Sequence, residues 1–220
     1  MMYVKGGTFT MGATSEQGSE AESDEKPTHR VTLSSFYIGK YEVTQALWKA
    51  VMGSNPSNMQ GDNLPVETVS WDDCQTFIRK LNALTGKNFR LPTEAEWEFA
   101  ARGGNNSRGY KYAGSNNIGD VGWCLGNSGK KTHVVGTKSP NELGLYDMSG
   151  NVYEWCQDWY GNYSSTSQTN LAGAGSGSYR VLRGGGWYYV AGCCRSSNRN
   201  CSAPVTRDYN YGLRLVLSQL

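Results

Sequence analysis

The sequence predicts an α+β fold that is irregular and rich in loops. Two observations carry that expectation. The three segments with helical periodicity all lie before residue 104, and the chain beyond holds only short β-like runs between turns. Such segregation marks α+β rather than alternating βαβ units. Twenty-eight glycines stand beside 14 tyrosines and 7 tryptophans, a composition in which large aromatics plug a core between irregular segments. At 220 residues, with no internal repeat or dividing linker, the chain suits one domain over 1–220 with a sizeable core.

The elements follow in order. MMYVKGGTFTMG (1–12) reads as a hairpin turning at Gly6-Gly7. Residues 13–29 are acidic and lack an apolar period, so they read as a solvated loop. HRVTLSSFYIGKYEV (29–43) alternates well enough for one or two strands. A first helix runs from an N-cap at Thr44 to Gly53. A second starts at Ser70 with Asp72 and Asp73 in its first turn, presents Trp71, Cys74, Phe77, Ile78, Leu81 and Leu84 at helical spacing, and closes at Gly86. A third follows Pro92, where Thr93 and Glu96 form a capping box. After Gly103 the chain is turn-rich. Short strands are expected at THVVG (132–136) and NVYEWCQDWY (151–160), a Gly/Ser/Thr-rich loop over 161–178, and closing strands at YRVLRGGGW (179–187) and GLRLVLSQL (212–220).

Charge and hydropathy exclude whole classes. Lys+Arg 21 against Asp+Glu 19 leaves a net charge of +2, without the basic field of a nucleic-acid binder. No apolar run approaches the roughly 18 residues a membrane helix requires, and mean hydropathy is −0.57. The first residues carry no signal-peptide pattern, which leaves room for a leader removed beforehand. The six cysteines fit no zinc spacing and are expected as free, mostly buried thiols, which leaves the redox compartment open. His29 and His133 have no partner motif and read as structural. No Ser-His-Asp arrangement or phosphate loop is present.

GGTFTMG, YEVTQALWKAVMG, NLPVETVSWDDC, FRLPTEAEWEFAARGG, NELGLYDMSGNVYEW, RVLRGGGW and GLRLV occur in that order over residues 3–217. This ordered set resembles the formylglycine-generating-enzyme (sulfatase-modifying factor) family, and the resemblance implies a C-type-lectin-like fold. The enzymes of that family oxidise a sulfatase cysteine with copper held by two cysteines. By position those two are Tyr189 and Cys194 here, and a phenol does not replace a soft thiolate for Cu(I). The resemblance with that departure implies no catalysis and no required cofactor, the alternative being a copper oxidase of the family type. Carried over by position, a calcium ion would sit on Asp147, the carbonyls of Gly150 and Val152, and Glu154. The alternative is that Asp147 and Glu154 cap turns and pair with arginines.

Residues 180–216 also resemble the variable region of diversity-generating-retroelement proteins, in which adenines of AAC codons are randomised. Arg183, Gly184, Gly185, Trp187, Cys194, Arg195, Ser196, Arg199, Arg207, Gly212 and Arg214 keep the frame, while Leu213 replaces its usual Phe. The variable positions are then Gly186 (usually Ser), Tyr188, Tyr189, Val190, Cys193, Asn198, Cys201, Ser202, Ala203, Val205, Thr206, Asp208, Tyr209, Asn210 and Tyr211. An NNC codon cannot encode Lys, Glu, Gln, Met or Trp, and 188–211 contains none of them. They form about a fifth of residues 1–187, so about five are expected in that window. Chance composition of a Cys- and Tyr-rich loop is the alternative.

Tyrosine joined by Ser, Asn, Asp and Gly is the composition of an antibody paratope, so these side chains are expected to line one solvent-facing site. The resemblance implies an unknown protein or cell-surface ligand, and display on a bacterial surface as a lipoprotein whose leader is absent from this chain. The frame arginines are expected as scaffold, donating to loop carbonyls. Cys193 and Cys201 read as random draws, and nothing supports a disulfide between them.

Overall fold

The first two strands do not pair with each other. β1 (Met2–Val4) lies antiparallel to β4 (Phe36–Ile38), while β2 (Gly7–Met11) lies antiparallel to β3 (His29–Leu33). The expected hairpin is instead a step between two sheets. A Cβ on Gly6 would lie 2.4 Å from the Leu33 carbonyl oxygen, so only bare backbone passes there. The computed structural model describes residues 1–218.

The three expected helices form with their expected caps. α1 (Gln45–Met52) starts at Thr44, whose hydroxyl accepts the Leu47 N–H, and ends on Gly53 at φ 82°. α2 (Trp71–Thr85) has a Ser70–Asp73 capping box and ends on Gly86; it buries Cys74, Phe77, Ile78 and Leu81 but leaves Leu84 exposed. β5 (Phe89–Arg90) precedes α3 (Glu94–Ala101), which has the Thr93–Glu96 box. α3 is buried on every side, so its three glutamates require partners inside the protein. A one-turn α4 (Ile118–Val121) follows.

The second half supplies β6 (Tyr153–Trp159), β7 (Gln168–Thr169), β8 (Arg180–Arg183), β9 (Arg199–Ser202), β10 (Tyr211–Gly212) and β11 (Val216–Ser218). The strand expected over 179–187 is shortened to β8. The one expected over 212–220 divides into β10 and β11, and its last two positions lie outside the described residues. THVVG (132–136) is not a strand. Its N–H groups go singly to loops, from His133 to Asn151 Oδ1 and from Val135 to the Asn63 carbonyl. Residues 13–29 are not solvated throughout, because two 3-10 turns fold Gln17 and Glu25 inside and His29 is buried at the start of β3.

Three sheets result, ordered β1-β4-β11-β5, β10-β6-β8-β9 and β2-β3-β7. The second divides the core. Trp155 and Leu182 face one apolar cluster with Trp48, Phe77 and Leu213. Their neighbours Cys156 and Val181 face the other, with Trp97, Phe99 and Phe36. Strand alternation thus places adjacent residues in separate layers. All six cysteines are free; Cys74, Cys124, Cys156 and Cys194 are buried, and Cys193 and Cys201 half-buried.

Candidate binding surface

β8 delivers the chain to Gly184 and Gly185, which turn at φ 97° and 72°. A Cβ on Gly185 would lie 2.6 Å from Cys194 Sγ, so glycine is required for that approach. Trp187 then pins the surface from beneath. Its backbone N–H donates to the Asn151 carbonyl at 2.8 Å, its indole N–H to the Tyr209 carbonyl at 3.2 Å, and its carbonyl accepts from Ser128 Oγ at 2.8 Å. One buried indole therefore ties the segment beginning at 188 to the segment ending at 211.

Above Trp187 sit Tyr188 and Tyr209, their rings 6.0 Å apart and edge to face. Tyr188 is 50% exposed, Val190 60%, Val205 69% and Tyr209 37%. Tyr189 is half-buried and meets the Tyr153 ring edge-on at 4.9 Å. Its carbonyl accepts the Leu125 N–H at 2.9 Å. Burial pushes the Tyr189 phenol up to about 12, so it stays neutral. The 203–211 segment is held by two turns, Thr206 N–H to the Ala203 carbonyl and Tyr211 N–H to the Asp208 carbonyl, each 2.9 Å. Asp208 Oδ1 accepts the backbone and side-chain N–H of Asn210, and Arg207 forks onto Asp73 at 2.6 and 2.8 Å.

Cys193, Cys201, Ser202, Ala203, Thr206 and Asp208 are half-buried and join Tyr188, Tyr189, Val190, Val205 and Tyr209 in reaching solvent. Four expected surface residues do not, and this corrects the sequence reading. Gly186 is enclosed. Asn198 is buried in the arginine layer, where its carbonyl accepts from Arg183. The Asn210 carbonyl accepts the Tyr153 N–H at 2.7 Å beneath the surface. Tyr211 is in β10, paired with β6, and packs on Trp155 at 5.3 Å. Tyr153, outside the variable positions, forms the floor; its ring is buried and its phenol meets Asn200 and Cys193. No short motif singles it out, because its role comes from being one strand away.

Four frame arginines, Arg183, Arg195, Arg199 and Arg214, lie under this surface, while Arg207 is exposed. Arg183 bonds Glu98 and the Asn198 carbonyl. Arg195 forks onto Glu25, and Arg199 onto Glu94 at 2.6 and 2.9 Å. Arg214 bonds Glu154 at 2.7 Å and the carbonyls of Gly39 and Tyr146. The scaffold expectation included the carbonyls and missed the carboxylates, which come from α3, β6 and the 13–29 loop.

Of the residues considered for calcium, Glu154 is already engaged. Glu154 accepts Trp97 Nε1 at 2.7 Å and three Arg214 contacts at 2.7–3.1 Å, which uses its lone-pair directions. Asp147 accepts the Gly136 N–H with Oδ2, and its Oδ1 is buried without a partner. Burial and the nearby Glu154 raise Asp147 to about 6, against the pull of Gly136 and Arg214. Burial, with Asp147 and Glu154 beside it, also raises Glu42. The pairing of Glu154 with an arginine is the reading the geometry supports. Among the described residues no group of three or more His, Cys, Asp or Glu is placed to hold a metal. The two-thiolate copper pair is also incomplete. Cys194 is fully buried, its thiol pushed up by that burial, and a neutral phenol occupies position 189. His133 stacks on Trp123 at 3.7 Å and His29 is buried near the Pro27 carbonyl, as structural histidines do.

The sequence model described as "Sulfatase-modifying factor enzyme 1-like domain" matches residues 1–219. The chain is 36% identical over 237 residues to "Chaperone protein LppX" of Paenibacillus barcinonensis, covering 85% of this chain and 78% of that one. It is 30% identical over 279 residues to the formylglycine-generating enzyme of Streptomyces coelicolor, covering 96% and 87%. It spans 37% of the length of the serine/threonine-protein kinase pkn1 of Chlamydia pneumoniae at 31% identity. Treponema denticola variable protein 1 superposes with a TM-score of 0.90 at 33% identity, covering all of this chain and 95% of that one. No helix among the described residues is long and apolar enough to cross a membrane.

Proposed function

The chain belongs to the sulfatase-modifying factor enzyme 1-like family, with its C-type-lectin-like fold, and on that premise we propose that it is a binding protein whose tyrosine-rich surface is diversified by a retroelement. One observation carries the reading. Tyr188 and Tyr209 stand exposed over Trp187, Val190 and Val205 are exposed in the same two segments, and the hydrogen bonds of Trp187 hold the main chain independently of what those side chains are. Stiff aromatic anchors on a fixed backbone bind with little ordering entropy. The ligand class is a protein or cell-surface molecule, suited to a broad patch. Display at a bacterial surface through a lipid anchor belongs to the same proposal, and fractionation of the native host with globomycin treatment tests it.

Two libraries test the binding reading. One randomises 188, 190, 205, 206 and 209; the other randomises 186, 198, 210 and 211. The first is expected to yield folded variants that differ in what they bind, the second mostly unfolded chains. Indifference of ligand choice to the first set overturns the reading. The diversification itself is tested in the coding DNA, where codons of the variable positions that lack a third-position C, or the absence of an AAC-rich near-copy, would remove it.

A second reading is a copper oxidase of the formylglycine-generating type, favoured by the named relative and by the buried Cys194. It requires Cu(I) to bind and a sulfatase-derived cysteine peptide to be turned over. The neutral phenol at 189 weighs against it, and a Tyr189→Cys variant that gains copper while the parent has none would decide against activity in the natural chain.

A further inference from the structure

We propose that the cleft beside Val190 is a constant anchoring subsite for an apolar side chain carried on an acidic segment of a protein ligand; this rests on the binding reading above. The cleft holds about 460 Å³, and its apolar walls are Ile118, Cys124, Leu125, Val190 and Ala191. Only Val190 belongs to the variable set. The opposite wall comes from residues 117–127, and the Leu125 N–H to Tyr189 carbonyl bond fixes the two walls against each other. The mouth therefore opens next to the tyrosines, with Leu125 and Val190 exposed at its rim. Adjacent exposed apolar groups of this kind mark interaction sites more than scattered ones do.

The polar side chains of the lining are already satisfied within the walls. Asn117 Oδ1 accepts the Gly119 N–H, and its amide donates to Asp120. Asn127 Oδ1 accepts the Cys124 N–H, and its amide donates to the Gly122 carbonyl. The cleft thus presents hydrocarbon and sulfur, with room for a leucine or phenylalanine side chain.

Charge identifies what flanks that side chain. Residues 105–139 hold Arg108, Lys111, Lys130, Lys131 and Lys138 against the single acid Asp120. The Asp120 carboxylate is held by Ser115 and Asn117. Lys138 donates to the carbonyl of Gly119 in the cleft wall at 2.6 Å, and Lys130 and Lys131 are exposed beyond Ser128, which supports Trp187. On the other side Glu20 is paired with Lys111 at 3.0 Å. A ligand carrying carboxylates beside its apolar side chain is attracted, and a basic one repelled.

The test uses the intact chain, labelled with nitrogen-15, and three peptides: acetyl-Asp-Asp-Phe-Asp-Asp-amide, the same with Ala for Phe, and acetyl-Lys-Lys-Phe-Lys-Lys-amide. The acidic Phe peptide should shift the amides of Ile118, Leu125 and Ala191, more strongly at low salt than at high, and the other two should not. Leu125→Asn should weaken it about tenfold, and Val190→Asn, at a more exposed position, serves if the first variant melts early. Equal binding of the basic peptide, shifts confined elsewhere, or undiminished binding by both variants overturns the subsite. A silent cleft with ligand choice still altered at Tyr188 and Tyr209 removes the subsite alone. A responsive cleft with ligand choice indifferent to those tyrosines removes the binding reading alone.

Discussion

Arg195 grips both carboxylate oxygens of Glu25 across 170 residues of sequence, at 2.8 and 2.5 Å, with both side chains closed to solvent. Glu25→Ala leaves that guanidinium buried and unpaired, an arrangement that costs about 3–5 kcal/mol. Urea denaturation should show a loss of that size. Burial alone would raise Glu25, but hydrogen bonds from Arg195 and Ser197 outweigh it and hold the group below its ordinary value. Its contribution is present above the unfolded carboxylate range and is lost as pH falls through the lower folded value. The acid limb of the stability curve should therefore be shallower in Glu25→Ala, and an unchanged limb would refute the assignment.

Asp158 has the opposite sign. Burial, and Glu94 beside it, push it up to about 8, so folding takes up a proton through the neutral range. Stability should fall as pH rises toward 8 and level off above it. Asp158→Asn keeps an acceptor for the Glu94 N–H and removes that proton. Its stability should decline less between about pH 6 and 8 than the parent's, as measured by thermal melts across pH. Parallel curves would exclude the neutral acid.

Gly186→Ser should stabilise the protein by about 1 kcal/mol. A Cβ there would lie 3.5 Å from Asn210 Oδ1, a buried oxygen without a partner, and a serine hydroxyl supplies the missing donor. Its backbone is outside the left-handed region, so no strain opposes the change. A lower melting temperature would show that the hydroxyl points elsewhere.

The variable positions should separate by depth. Val205→Asn and Tyr209→Ser should alter stability by less than about 1 kcal/mol. Tyr211→Ala should cost about 3–5 kcal/mol, because its ring packs on Trp155 and Tyr153. Equal effects at 209 and 211 would contradict the described surface.

Calcium should leave the melting temperature unmoved in chelator-treated protein, because Arg214 and Trp97 already occupy Glu154. Glu154→Gln should be destabilising to the same extent with and without the ion. A calcium-dependent difference between the two would restore the metal reading.

Local chemistry was legible in the sequence wherever the deciding partner lay within a few residues. Thr44, Ser70 and Thr93 cap their helices through the third residue on, as their spacing requires. Strand pairing was not legible, since Gly6-Gly7 looks like any tight turn and only Leu33 behind it decides otherwise. The exposed tyrosines followed from residue type, but Tyr211 has the same type and a different depth, set by its pairing with Tyr153 in β6. The acidic loop was misread because charge normally means solvent, and the arginine that pulls Glu25 inside is 170 residues away.

The layer of arginine–carboxylate pairs has a practical outcome. Cohesion resides in partners that both lie below the tyrosine rim, so variants unlike at every rim position would melt within several degrees of one another. A screen that ranks such variants by thermal robustness would therefore say little about the chemistry of their rims.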